Sequence, residues 1–224
     1  MLEKILEIIY PKKCVFCNTI NEEYACKKCK IKLEYICAND KLEKVKDKYF
    51  DYIISSYHYI DLIRNKILEF KFNNKKYLYK ALSEELIRKL QRYSDLFDYI
   101  IYVPVSLKRH MKRGYNQSEL IAKSISQELN KPLIKFCLLK IRNNKKQSDL
   151  KIEERFKNVK NVYKVINKSK ILGKRILLID DIYTTGATVN ECSKVLKQAG
   201  VIEVLVATIA RTEKSNSKYL VDIE

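Results

Sequence analysis

Asp180 and Asp181 close an apolar run that begins at Ile176, and two residues later the chain reads Thr184-Thr185-Gly186-Ala187-Thr188. Adjacent carboxylates can accept hydrogen bonds from the paired hydroxyls of a sugar. The hydroxyls of Thr184, Thr185 and Thr188, with the amides of a turn opened by Gly186, can converge on one phosphate at the start of a helix. The residue types therefore point to a sugar-phosphate site. A second set is Cys14-x2-Cys17 and Cys26-x2-Cys29, with eight residues between the pairs. In a reducing compartment such spacing favours metal over disulfides, and two such turns complete a tetrahedral thiolate shell with no vacant position. The expected ion is a structural Zn2+. Cys37 stands alone, with Asp40 where a second pair would need a cysteine, and Cys137 and Cys192 read as small core residues.

These residues need elements to hold them. Ile176, Leu177, Leu178 and Ile179 do not alternate with polar residues, which predicts a parallel strand buried on both faces, hence an α/β chain. Val189 to Ala199 reads as the following helix, ended by Gly200, and Val201 to Ala207 as the next strand. Asp98 to Val105 is a second apolar strand ending at Pro104. It leads through a basic segment, Ser106 to Gln117, read as a loop, into a helix over Ser118 to Leu129. Ligands of open α/β sheets bind outside the carboxyl ends of the strands, so this basic loop and the aspartate pair share one edge. Upstream, YIISSYHY after Asp51 reads as a strand and Leu62 to Leu90 as helices broken near Asn73-Asn74. The Lys- and Asp-rich stretch 38–50 reads as a connector. His110 reads as a surface residue and His58 as a structural one. A hydrophobic-Asp-Asp strand also occurs in ATPases, but Gly173-Lys174 is followed by Arg175, so the phosphate loop of an ATPase is missing.

With 224 residues, 46% of them hydrophobic, the chain is long enough for one large domain with an appendage, expected at the amino terminus. No apolar stretch approaches the roughly 20 residues of a spanning helix. The opening MLEKILEIIYPKK, with Leu2, Ile5, Leu6 and Ile9 at helical spacing, reads as a short amphipathic helix rather than a signal peptide, and the expected location is cytoplasmic. The 45 Lys and Arg against 27 Asp and Glu give a formal charge of +18, and sixteen tyrosines lie among them. A surplus of this size attracts polyanions, and the tyrosines offer stacking surfaces for single-stranded DNA.

The run ILLIDDIYTTGATV resembles the fingerprint of the type I phosphoribosyltransferases, position for position. Together with the cysteine ribbon and VPVSLKRHMKRGYNQ, it is similar to the ComF (competence protein F) family, a branch of that fold associated with DNA uptake. The resemblance implies a mostly parallel sheet flanked by helices (51–224), preceded by a helix and a small zinc ribbon (1–40). It further implies that phosphoribosyl pyrophosphate (PRPP) binds with Mg2+. Asp180 and Asp181 would hold the ribose as the catalytic pair. Tyr183, Thr184, Thr185, Gly186, Ala187 and Thr188 would wrap its 5-phosphate, and Pro104, Val105 and Arg113 would lie near the pyrophosphate. Arg142, Gln147 and Arg155 would belong to a mobile segment closing over the site, and Cys14, Cys17, Cys26 and Cys29 would bind the metal. Many relatives carry a second cysteine pair, which Asp40 leaves incomplete here. Two functions stay open: a glycosyltransferase that releases pyrophosphate to an unidentified acceptor, and a non-catalytic single-stranded DNA-binding factor of the uptake machinery that uses PRPP as a structural or regulatory ligand.

Overall fold

The computed structural model describes residues 11–142 and 151–212, with backbone alone at 152 and 153. The amphipathic segment around Leu2 to Ile9 lies outside the described residues. A five-stranded sheet forms the centre, in the order β1-β2-β7-β6-β3. Strand β1 is Glu43–Lys44, β2 Tyr52–His58, β3 Tyr99–Tyr102, β6 Arg175–Tyr183 and β7 Glu203–Arg211. All neighbours pair in parallel except β1, which runs antiparallel to β2 at the edge.

The buried strands split their residues between two cores by the alternation of a pleated sheet. Leu177 and Ile179 of β6, Leu205 and Ala207 of β7 and Ile100 of β3 face one core. It is filled by α2 (Asp61–Phe72), α3 (Leu78–Gln91) and α5 (Gln117–Glu128). Ile176, Leu178, Val204, Val206 and Ile101 face the other, closed by α7 (Ala187–Gln198) and the β4–β5 hairpin, Leu138–Lys140 with Tyr163–Val165. Ile176 to Ile179 are all wholly buried, and for that reason the sequence shows an uninterrupted apolar run there.

Two stretches differ from their expected form. The basic segment after β3 is helical: α4 spans Leu107–Arg113, capped by Ser106, whose side chain accepts from Arg109 N, and ended by Gly114 at φ 77°. Burial did not drive it, since none of its residues is buried, and no apolar stripe marks it in the sequence. The connector stretch carries β1, with Glu43 opposite Ile53 and Lys44 opposite Tyr52. Two backbone bonds on a neighbouring stretch, Ala38 N to Ser56 O and His58 N to Ile36 O, both 2.9 Å, extend the pairing along β2.

The cysteine region ends in α1 (Lys27–Tyr35), and Cys14, Phe16, Ala25, Cys29, Leu33 and Ile36 pack into the first core beside Leu82 and Leu86 of α3. The ribbon and the sheet therefore bury their apolar groups together. Among the described residues no helix is long and apolar enough to cross a membrane.

Candidate sugar-phosphate site and metal centre

Strand β6 runs past both aspartates to Tyr183, so the carboxylates project from its second half rather than following its end. The chain then turns through Thr184 and Thr185 into α7. Gly186 caps that helix at φ 75°, and a Cβ built there would lie 2.7 Å from the Tyr183 ring. Glycine is required twice over, by backbone conformation and by space. No side chain of the cap engages the first-turn amides, and the Thr185 hydroxyl accepts from Ala187 N at 3.4 Å. Asp180, Ile182 and residues 183–189 line an open concavity over this helix start. Amides and hydroxyls converging at the positive end of a helix dipole suit an anion.

The connector supports this turn from behind. Tyr183 meets Phe50 edge to face at 6.3 Å between centroids, and its ring lies 6.0 Å from the Arg211 guanidinium. Arg211 pairs with Glu43 of β1. Tyr49 N donates to the Asn190 side chain of α7 at 2.8 Å.

The carboxylates stand in different surroundings. Asp180 Oδ1 accepts from Ser118 Oγ at 3.1 Å and from Asp181 N at 2.9 Å. Burial, and then the charge of Asp181, push its carboxyl up to about 7. Asp181 Oδ2 is 2.9 Å from Lys71 Nζ, in an ion pair whose two side chains are both largely buried. Sequence reasoning missed Lys71, because nothing in FKFNNKK distinguishes it from the other lysines.

Arg113-Gly114-Tyr115-Asn116-Gln117 explains how Lys71 arrives there. Arg113 donates to Gln117 Oε1 at 2.7 Å and stacks 5.3 Å over the Phe72 ring. Tyr115 stacks on Phe70 at 5.5 Å, and its hydroxyl donates to Phe70 O. Asn116 donates to Val103 O at 3.0 Å and caps α5 by accepting from Ser118 N at 3.0 Å. The motif thus clamps the last turn of α2, the end of β3 and the start of α5 around the aspartates. Burial lowers the Arg113 guanidinium from its ordinary value, and the charge of Asp181 partly offsets this.

Pro104 and Val105 follow β3, where Val103 N donates to Ile179 O at 2.9 Å, so they border the same edge. Arg142 is exposed at the last described position before 143–150, a stretch that includes Gln147 and lies outside the described residues. Arg155 lies on α6 (Ile152–Val159), which packs on α7. Lys140 of the hairpin sits 5.6 Å over the Tyr163 ring, and burial followed by the charge of Arg109 lowers it to about 8. His110 is exposed.

In the ribbon, the Sγ atoms of Cys14, Cys17, Cys26 and Cys29 lie within 4.8 Å of one another, with Cys17 and Cys26 at 3.6 Å. Zn–S bonds of about 2.3 Å in a tetrahedron require sulfurs roughly 3.8 Å apart, so the donor set fits zinc. A hydrogen bond with Thr19 holds the Cys17 thiol down to about 6. Cys37, Asp40 and Glu85 form another compact donor group, but a protein cation already serves it. Lys89, with no exposed surface, reaches in from α3 and donates to the carbonyls of Ala38, Ser55 and Ser56 at 2.7, 3.0 and 3.1 Å. Its ammonium is also 3.4 Å from Asp40.

Residues 84–223 match the phosphoribosyl transferase domain model, which defines the class of the fold. Competence protein F of Haemophilus influenzae is 33% identical over 160 residues, covering 69% of this chain and 70% of that protein. Competence protein ComFC of Bacillus subtilis is 31% identical over 147 residues, 65% of this chain and 58% of the relative, so the chain spans under two thirds of that protein's length. DNA utilization protein YhgH of Escherichia coli K12 is 29% identical over 151 residues, 65% and 66% of the two chains. A purine phosphoribosyltransferase from Pyrococcus horikoshii Ot3 superimposes with a TM-score of 0.39 at 19% identity, over 62% of this chain and 87% of that one. The chain belongs to the ComF family of proteins with the phosphoribosyltransferase fold.

Proposed function

We propose that this protein binds PRPP with Mg2+ at the edge formed by β6, the turn 184–188 and the end of β3, and acts in DNA uptake. The observation that carries the reading is the run of β6 into α7. It sets two carboxylates beside a helix-start anion cradle, with Arg113 at the margin. Asp180 and Asp181 would accept hydrogen bonds from the ribose hydroxyls, Tyr183 to Thr188 would enclose the 5-phosphate, and Pro104, Val105 and Arg113 would border the pyrophosphate. Mg2+ prefers oxygen ligands and keeps part of its water shell, so it would travel with the pyrophosphate rather than sit in a protein cage. The names of the Haemophilus and Bacillus relatives support the competence role. Residues 51–224 would carry this site, and residues 1–40 the structural zinc.

The choice between transferase and non-catalytic factor is one of turnover. Displacement at the anomeric carbon builds positive charge on the ribose ring, which the aspartate pair would stabilise electrostatically. Basic α4 favours the second reading on its own ground. Leu107 and Met111 are 73% and 70% exposed among Lys108, His110 and Lys112, with Phe72 63% exposed beneath Arg113, a surface of the kind that holds single strands. Release of pyrophosphate from PRPP should be assayed with bases, amines and ammonia, beside oligonucleotide binding across a salt series. Release that depends on an acceptor assigns a transferase. PRPP binding without release, with DNA affinity falling steeply as salt rises, assigns the uptake factor.

A further inference from the structure

Lys71 belongs to neither the strand–turn–helix phosphate cradle nor the segment after β3, yet it forms a salt bridge to the aspartate pair. Its ammonium lies 2.9 Å from Asp181 Oδ2, and its side chain is 18% exposed. Two plain explanations fail on geometry. A lysine in the last turn of a helix can complement that helix's own carbonyl end, but this one reaches a different element, β6. Nor is it a floppy surface lysine that happened to meet an acid. The residues on either side are held by the Arg-Gly-Tyr-Asn-Gln clamp, Phe70 through its ring and carbonyl and Phe72 under the Arg113 guanidinium. The other charges of this helix end form a separate group, in which Glu69 takes both Lys66 and Lys75. Lys71 is left committed to Asp181.

A sugar hydroxyl arriving at Asp181 donates to the same carboxylate that Lys71 now holds through Oδ2 and competes with it for that charge. The ammonium is then left beside the bound sugar with donors to spare. Resting on the PRPP reading above, we propose that Lys71 is a ligand of the pyrophosphate group, held in reserve on Asp181 until the ribose arrives. In the empty site it pairs with Asp181; in the filled site it turns to the anion. Its position before the sheet's second parallel strand sets it apart from the pyrophosphate contacts expected at 104–113.

The test is titration of the full chain with three probes, each with Mg2+: PRPP, inorganic pyrophosphate and ribose 5-phosphate. Lys71→Met should bind PRPP and pyrophosphate at least about tenfold more weakly, the loss expected for one charge-assisted hydrogen bond, with ribose 5-phosphate within about twofold of wild type. Lys71→Arg should recover part of the lost pyrophosphate affinity. Equal loss of all three probes would mean that Lys71 only positions Asp181, and unchanged pyrophosphate affinity would show that it touches no ligand; either result overturns the proposal. Melting curves and zinc content of the variants separate these outcomes from misfolding. Failure of wild-type protein to bind PRPP would instead defeat the site reading on which the proposal stands.

Discussion

Asp180 titrates far from a carboxylate in water. Its carboxyl ordinarily titrates near 3.8 and is raised to about 7 by burial and by Asp181. A raised carboxylate means that the folded chain keeps a proton the unfolded chain has already released. Stability should therefore decline as pH climbs from about 4 to about 7, and then level off. Asp180→Asn imitates the protonated form at every pH. The variant's melting temperature should exceed that of wild type by a margin that widens from about pH 5 to pH 7 and holds steady at pH 8. A margin independent of pH would contradict the assigned cause. At this scale the aspartates, threonines and Gly186 were legible, because their types and spacing encode the turn. Lys71, Ser118 and Lys89 were not. One lysine among many carries no mark of its partner, and Asp181, Asp180 and Asp40 lie respectively 110, 62 and 49 positions away in the chain.

Among the elements, β6 was readable from its unbroken apolar run, and the break between α2 (Asp61–Phe72) and α3 (Leu78–Gln91) from Asn73-Asn74. Helix α4 was not, because a helix with no buried residue needs no apolar stripe, and its basic residues read equally well as a loop. The stretch 38–50 reads as a connector from its Lys and Asp content, yet Glu43, Tyr49 and Phe50 brace the phosphate turn through Arg211, Asn190 and Tyr183. The cysteine spacing announced a metal centre but not what the centre holds in place. Cys14, Phe16, Cys29 and Leu33 share a core with α3, and Lys89 fastens Ala38 to β2. Purified protein should accordingly contain one zinc per chain. Stripping it with a chelator should lower the melting temperature of the entire molecule in a single transition, because the thiolate shell closes part of the common core. An unchanged melt, or a small early transition ahead of an unaltered main one, would show that the ribbon is energetically separate.

Across the whole molecule, the charge of +18 and the placement of the site fit together. The aspartate pair lies at the carboxyl edge of a parallel sheet, where polyanionic ligands gather, and cations from α2 and α4 face it from elements far apart in sequence. If this edge is a PRPP site, Asp180 and Asp181 carry it. Calorimetric titration with PRPP and Mg2+ tests it directly, with wild type beside the Asp180→Ala, Asp181→Ala double variant and zinc content confirming that both are folded. Wild type should bind saturably, and the double variant should bind at least about a hundredfold more weakly, as two lost charge-assisted contacts imply. Equal affinity in the two proteins, or no binding by wild type, would contradict it.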